Sequence, residues 1–85
     1  MFTVYIIKST SSNKYYIGQT NNLEHRLIQH NSGYSIATKS GIPWELVFEK
    51  EFESRSDAYQ YEQKIKKMKS KKYLEELISA GRASR

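Results

Sequence analysis

The chain contains no cysteine, and over 85 residues that absence constrains the fold more than any motif does. A domain of this size hides only about 60 to 65% of its unfolded surface. Without disulfides or thiolate-bound zinc, the hydrophobic core must hold it together unaided. Apolar residues make up 38% of the chain, enough for one modest core, so a single domain over residues 1–85 with a polar tail from about residue 80 is expected. Thiol nucleophiles are excluded, and His25 and His30 are too few to build a histidine metal cage. No segment is long and apolar enough for a membrane span, and the opening MFTVYIIKS lacks the pattern of a secretory signal, so cytoplasmic residence is the default expectation.

The periodicity gives the order of elements. FTVYIIKS and YYIGQT are rich in β-branched and aromatic residues and read as two strands of a hairpin, joined by the polar turn Thr10 to Lys14. Asn21 or Asn22 can cap a first helix, which carries Leu23 and Leu27 and meets a left-handed stop at Gly33. Residues 31–43 have loop chemistry and more length than a connection needs. Trp44, Leu46 and Phe48 alternate with Glu45, Val47 and Glu49, which predicts a third strand with one apolar face. Ser54 or Ser56 starts a second helix with Ala58, Tyr61, Ile65 and Met68 along one stripe. Ser70 caps a third helix bearing Tyr73, Leu74, Leu77 and Ile78, with Gly81 as its end and a fraying RASR tail. The expected fold is α/β: a small, mostly antiparallel three-stranded sheet flanked by helices in the order β-β-α-β-α-α.

Charge points to a partner. The net charge is +5, and Lys64, Lys66, Lys67, Lys69, Lys71 and Lys72 fall within nine residues, just after the acidic block Glu45, Glu49, Glu51 and Glu53. Such a run suits phosphates, and it equally describes a solvated helix face.

Several residues could carry chemistry. Glu62 interrupts the apolar stripe of the second helix, where a carboxylate needs compensation: a salt bridge, a stripe-edge position or a bound metal. Arg26 and His30 are four residues apart and share a helix face. A guanidinium suits a phosphate whose charge grows in a transition state, while an ion pair with Glu24 and a helix-end cap are the plain structural readings of Arg26 and His30. Tyr5 and Tyr16 lie in the hairpin strands, where tyrosine is ordinary packing material, and Gly18 leaves bare backbone that another group can approach.

Taken together, Thr3-Val4-Tyr5, Tyr16-Ile17-Gly18, Arg26 ten residues on and Glu62 on a later helix resemble the GIY-YIG nuclease superfamily over nearly the whole chain. The likeness is greatest to small stand-alone bacterial members, relatives of the amino-terminal nuclease domain of the excision-repair incision subunit. The first motif is degenerate and the second intact. The resemblance implies metal-dependent cleavage of DNA phosphodiester bonds, with one divalent cation, Mg2+ or Mn2+, held by Glu62. It implies that Arg26 stabilises the transition state, that Tyr5 and Tyr16 line the site with Tyr5 acting on the attacking water, and that His30 is a further site residue. Lys39 in the long loop, the lysines at 64, 66, 67 and 69, and the open backbone at Gly18 are the expected DNA contacts. Gln19 stands where the repair enzyme tends to have lysine, and no asparagine follows Asn31 to match one that several members carry beyond the metal glutamate. The competing expectation is a nucleic-acid-binding module with weak or no catalysis, acting as accessory to a larger assembly. In either case DNA is the expected partner, no membrane is involved, and a protein partner could supply targeting.

Overall fold

The computed structural model describes residues 1–83. Strands β1 (Phe2–Ser9), β2 (Tyr15–Thr20) and β3 (Trp44–Phe52) form one antiparallel sheet in the order β2-β1-β3. Helix α1 (Leu23–Asn31) lies between β2 and β3 in sequence, and α2 (Arg55–Met68) and α3 (Lys71–Ala83) follow. This is the expected architecture, with the hairpin's Tyr5 directly opposite Gly18.

Alternation along β1 divides the two faces of the sheet. Val4 packs with Ala58 and Ile65 of α2, ringed by Phe2, Ile17, Phe52, Tyr61 and three α3 residues, Tyr73, Leu74 and Leu77. Tyr5, pointing the opposite way, meets His30 of α1. The sheet is therefore covered by α2 and α3 on one face and by α1 on the other.

Three local expectations change. The single apolar face predicted for β3 is broken by a register shift: Ile6 pairs with Phe48 and Ile7 with Leu46, which leaves Val47 as an extra residue. A bulge switches the alternation, so Phe48 faces α2 and α3, whereas Leu46 and Trp44 face α1. Met68 is half exposed at the end of α2 instead of completing its stripe. Gly81 does not end α3, which runs on to Ala83; of the tail expected to fray, residues 84–85 lie outside those described. Among the helix caps, Asn22 accepts from the His25 amide and Ser54 from the Asp57 amide. Lys69, with φ of 46°, turns the chain between α2 and α3.

The long loop is tied at both ends. The Asn31 side chain accepts from the Trp44 amide at 2.6 Å and donates to the Trp44 carbonyl at 3.1 Å, fastening the end of α1 to the start of β3. Among the described residues no helix is long and apolar enough to cross a membrane.

Candidate active site

Strand β2 is an edge strand, and at its midpoint Gly18 has no side chain. The Tyr5 ring from β1 takes that space: a Cβ on Gly18 would fall 2.6 Å from the Tyr5 hydroxyl. Gly18 therefore acts here as room for a phenol, and direct contact of its backbone with a nucleic acid remains a proposal.

The Tyr5 hydroxyl lies 2.8 Å from His30 Nε2, and His30 Nδ1 lies 2.8 Å from Thr38 Oγ1. All three side chains are buried, His30 and Thr38 completely and Tyr5 to within 1%. The Trp44 indole N–H donates to the Thr38 carbonyl at 2.7 Å, which anchors the loop under the chain of hydrogen bonds. His30 is thus no helix cap: it is the buried joint between α1, the sheet and the loop. The unneeded length of residues 31–43 is used to deliver Thr38, which sequence reasoning missed.

Arg26 sits one turn before His30, beside the Tyr5 and Tyr16 hydroxyls. It also donates to Gln29 Oε1 at 3.1 Å, and not to Glu24. His30 Nε2 shares a hydrogen bond with the Tyr5 hydroxyl and Nδ1 shares one with Thr38, both hydroxyls being able to donate or accept. The electrostatics favour a neutral ring, since burial, followed by the positive charge of Arg26, lowers the His30 pKa below its ordinary value. Burial raises the Tyr5 phenol above its ordinary value while Arg26 pulls the other way. The neighbouring Tyr5 oxygen in turn holds the proton on Arg26 more firmly.

Tyr16 completes the cluster. Its ring packs edge-on against His30 at 5.1 Å and Trp44 at 6.5 Å between centroids. It is only half-buried, so of the two phenols it is the one with access to solvent.

Glu62 comes from α2, 7% exposed, with its charge felt at Tyr5. Its Oε2 is paired with Lys66 Nζ at 2.7 Å, one helical turn on. This is the salt bridge that its place in the stripe called for. Among the described residues no three His, Cys, Asp or Glu side chains form a metal cage. One carboxylate with phenols nearby is still an oxygen donor set of the kind that a hard cation uses when it keeps most of its waters and takes phosphate oxygens as further ligands. Mg2+ or Mn2+ fits such a site, and a softer, fully protein-ligated metal does not.

Two grooves flank this centre. One, about 590 Å³, runs beside Tyr16 and is lined by Lys14, Lys66, Lys69 and Lys71. The other, about 870 Å³, lies beside Arg26 between β2, α1 and the start of α2. The lysine cluster is thus split by the helix: Lys66 and Lys69 face the centre, whereas Lys64 and Lys67 line the outer side of α2 with Met68. Lys39 follows Thr38 in a 3-10 turn, is exposed, and lines neither of the two grooves. The acidic residues Glu45, Glu49 and Glu51 lie on β3, the opposite edge of the sheet, two strand spacings or about 10 Å from β2.

Comparison with known proteins follows the same geometry. The family model of the GIY-YIG catalytic domain matches residues 1–74. The UPF0213 protein OB0043 of Oceanobacillus iheyensis is 39% identical over 66 residues, covering 76% of each chain. The UPF0213 protein SSP2268 of Staphylococcus saprophyticus is 35% identical over 79 residues, covering 92% of this chain and 94% of that one. Among solved structures, the solution NMR structure of the UPF0213 protein BH0048 from Bacillus halodurans superposes with a TM-score of 0.58 at 29% identity, over 94% of this chain and 85% of the other.

Proposed function

From the premise that the chain belongs to the GIY-YIG family and groups with the small bacterial UPF0213 proteins, we propose that it is a metal-dependent endonuclease hydrolysing DNA phosphodiester bonds. The observation that carries this reading is Arg26, whose guanidinium sits with two phenols and lines a groove beside the edge strand β2. A purely structural arginine on a short helix would find an acid. Here its neighbours are neutral hydroxyls and the Gln29 amide to which it donates, which leaves its charge unneutralised for an incoming phosphate.

The roles follow from burial. Glu62 is the residue that would hold the divalent cation, which when bound supplies charge at the scissile phosphate and acidifies a neighbouring water. Arg26 binds the non-bridging phosphate oxygens and stabilises the charge that grows on them. Tyr16, the accessible phenol, accepts the hydrogen bond of the attacking water and orients it. The water oxygen bonds to phosphorus as the ester P–O bond breaks; the attacking water releases one proton to solvent, and the leaving oxygen takes one from solvent. Tyr5 is too enclosed for the water-facing part first expected of it. Together with His30 and Thr38 it positions Arg26. The lysine groove holds the flanking backbone, and the acidic β3 edge repels it, so a polyanion is guided to β2. Repair or recombination is the setting that the likeness to the excision-repair subunit suggests, and the cytoplasm the compartment in which that work is done.

The Lys66–Glu62 ion pair favours a second reading, a binding module whose glutamate is occupied by lysine. Nicking of plasmid and branched DNA in Mg2+ or Mn2+ decides between them. The nuclease reading expects metal-dependent cutting by the wild-type protein, with Glu62→Gln and Arg26→Ala each at least about a hundredfold slower. DNA binding without cutting in either metal establishes the second reading instead.

A further inference from the structure

The groove beside Arg26 has no part in the roles above beyond that one residue. Its volume of about 870 Å³ is within the range of about 300 to 1,000 Å³ that accommodates small organic ligands. Because Arg26 lines it, it opens directly onto the catalytic centre. Its lining includes Asn22, Gln29, Arg55 and Tyr59, and no Asp or Glu. Two guanidiniums in a concave surface without a carboxylate make a region of positive potential that selects a phosphate.

Arg55 is held by an aromatic ring instead of an acid. Its guanidinium lies 5.3 Å above the Phe2 ring, and among the described residues no carboxylate forms a salt bridge with it. Stacking of this kind fixes the plane of the guanidinium while its edge N–H groups stay available. Tyr59 stands at the rim on α2, 54% exposed. A large aromatic that the core leaves uncovered beside two guanidiniums offers a face for a base and donors for its phosphate. The groove on the other side of the centre differs in kind: it is lined by flexible lysines, which act as point charges and follow a backbone without reading it.

We propose that the Arg26 groove is a nucleotide subsite that takes the nucleotide next to the scissile phosphate, its phosphate on Arg55 and its unpaired base stacked on Tyr59. The assignment rests on the nuclease reading and narrows it: the substrate carries an unpaired nucleotide on this side of the cut, as single strands, flaps and frayed nicks do.

The test uses the full chain carrying Glu62→Gln, so that binding is measured without cleavage, and a labelled oligothymidylate followed by fluorescence anisotropy, with a fully paired hairpin of equal charge alongside. Adding Tyr59→Ala should weaken single-strand binding by at least about fivefold, Tyr59→Phe should leave it unchanged, and the hairpin should respond to neither. Adding Arg55→Ala should weaken binding and make the dependence of log affinity on log salt shallower by about 0.7. Tyr59 is exposed, so its truncation leaves the core in place, and an unchanged thermal melt verifies this. The subsite is overturned if Tyr59→Ala binds the single strand as tightly as its parent, or if the hairpin loses as much affinity as the single strand. If the Glu62→Gln parent binds neither probe at low salt, the nuclease reading falls as well.

Discussion

Replacing Gly18 by alanine tests whether the Tyr5 phenol lies across the edge strand as described. The added Cβ would sit 2.6 Å from the Tyr5 oxygen and 2.8 Å from its Cζ, well inside contact distance, whereas the Gly18 backbone is not left-handed and makes no demand of its own. Tyr5 cannot swing aside freely, because it is 1% exposed and bonded to His30. Overpacking of this kind destabilises by about 1 to 3 kcal/mol, and in a domain of this size each kcal/mol lowers the melting temperature by about 4 to 8 °C. A fall of roughly 4 to 24 °C is expected from these ranges. The mechanism is specified by repeating the change in a Tyr5→Ala background, where the new methyl meets empty space and should cost less than about 0.5 kcal/mol. Thermal unfolding of the four proteins followed by circular dichroism completes the cycle. Equal losses in both backgrounds would show that the methyl clashes with something other than Tyr5 and refute the placement.

His30 ties stability to pH. Its folded pKa lies below its ordinary value, so the unfolded chain binds the proton more readily; stability is full above about pH 6.5 and declines as pH falls through that value. Urea unfolding from neutral to mildly acidic pH should show this decline, and a decline of the same size in His30→Gln would contradict it. Lys66→Met removes the ammonium that lies 2.7 Å from Glu62 Oε2. Because Lys66 is close to half exposed, the pair is worth about 1 kcal/mol or less, so Mn2+ binding measured by calorimetry should tighten by up to about fivefold; weaker binding would mean that the lysine helps to build the cation site. Replacing Lys69 and Lys71 by alanine should lower single-strand affinity and make the salt slope shallower by about 1.4, and an unchanged slope would remove that groove from the interface.

The order of elements was legible because each strand and helix carries its own period, and the hairpin put Tyr5 and Tyr16 on neighbouring strands, although the register that sets Tyr5 opposite Gly18 came from the structure. What the sequence hid were features that need three dimensions. The β3 bulge at Val47 reverses an alternation that looks regular, because one inserted residue leaves no mark on composition. The lysine run reads as one cluster, yet helical geometry turns Lys66 and Lys69 inward and Lys64 and Lys67 outward. Glu62 announced itself as a charge inside an apolar stripe, but its pairing with Lys66 required the geometry. Thr38 had only the length of its loop to mark it, Arg55 had no signal beyond an ordinary surface residue, and Tyr59 had only the excess of tyrosine over what so small a core can bury.

The central claim is that a carboxylate on α2, a guanidinium on α1 and the accessible phenol of Tyr16 share one cation-binding surface at the middle of β2, with Tyr5 buried behind it. Paramagnetic broadening by Mn2+ in the amide NMR spectrum tests it most directly, because broadening falls off steeply with distance from the ion and needs no substrate. Substoichiometric Mn2+ should selectively broaden the amides around Glu62, Gly18 and Tyr16 in the wild-type protein and leave them sharp in Glu62→Gln. Broadening centred on the acidic β3 edge, or identical broadening in the two proteins, would contradict the account.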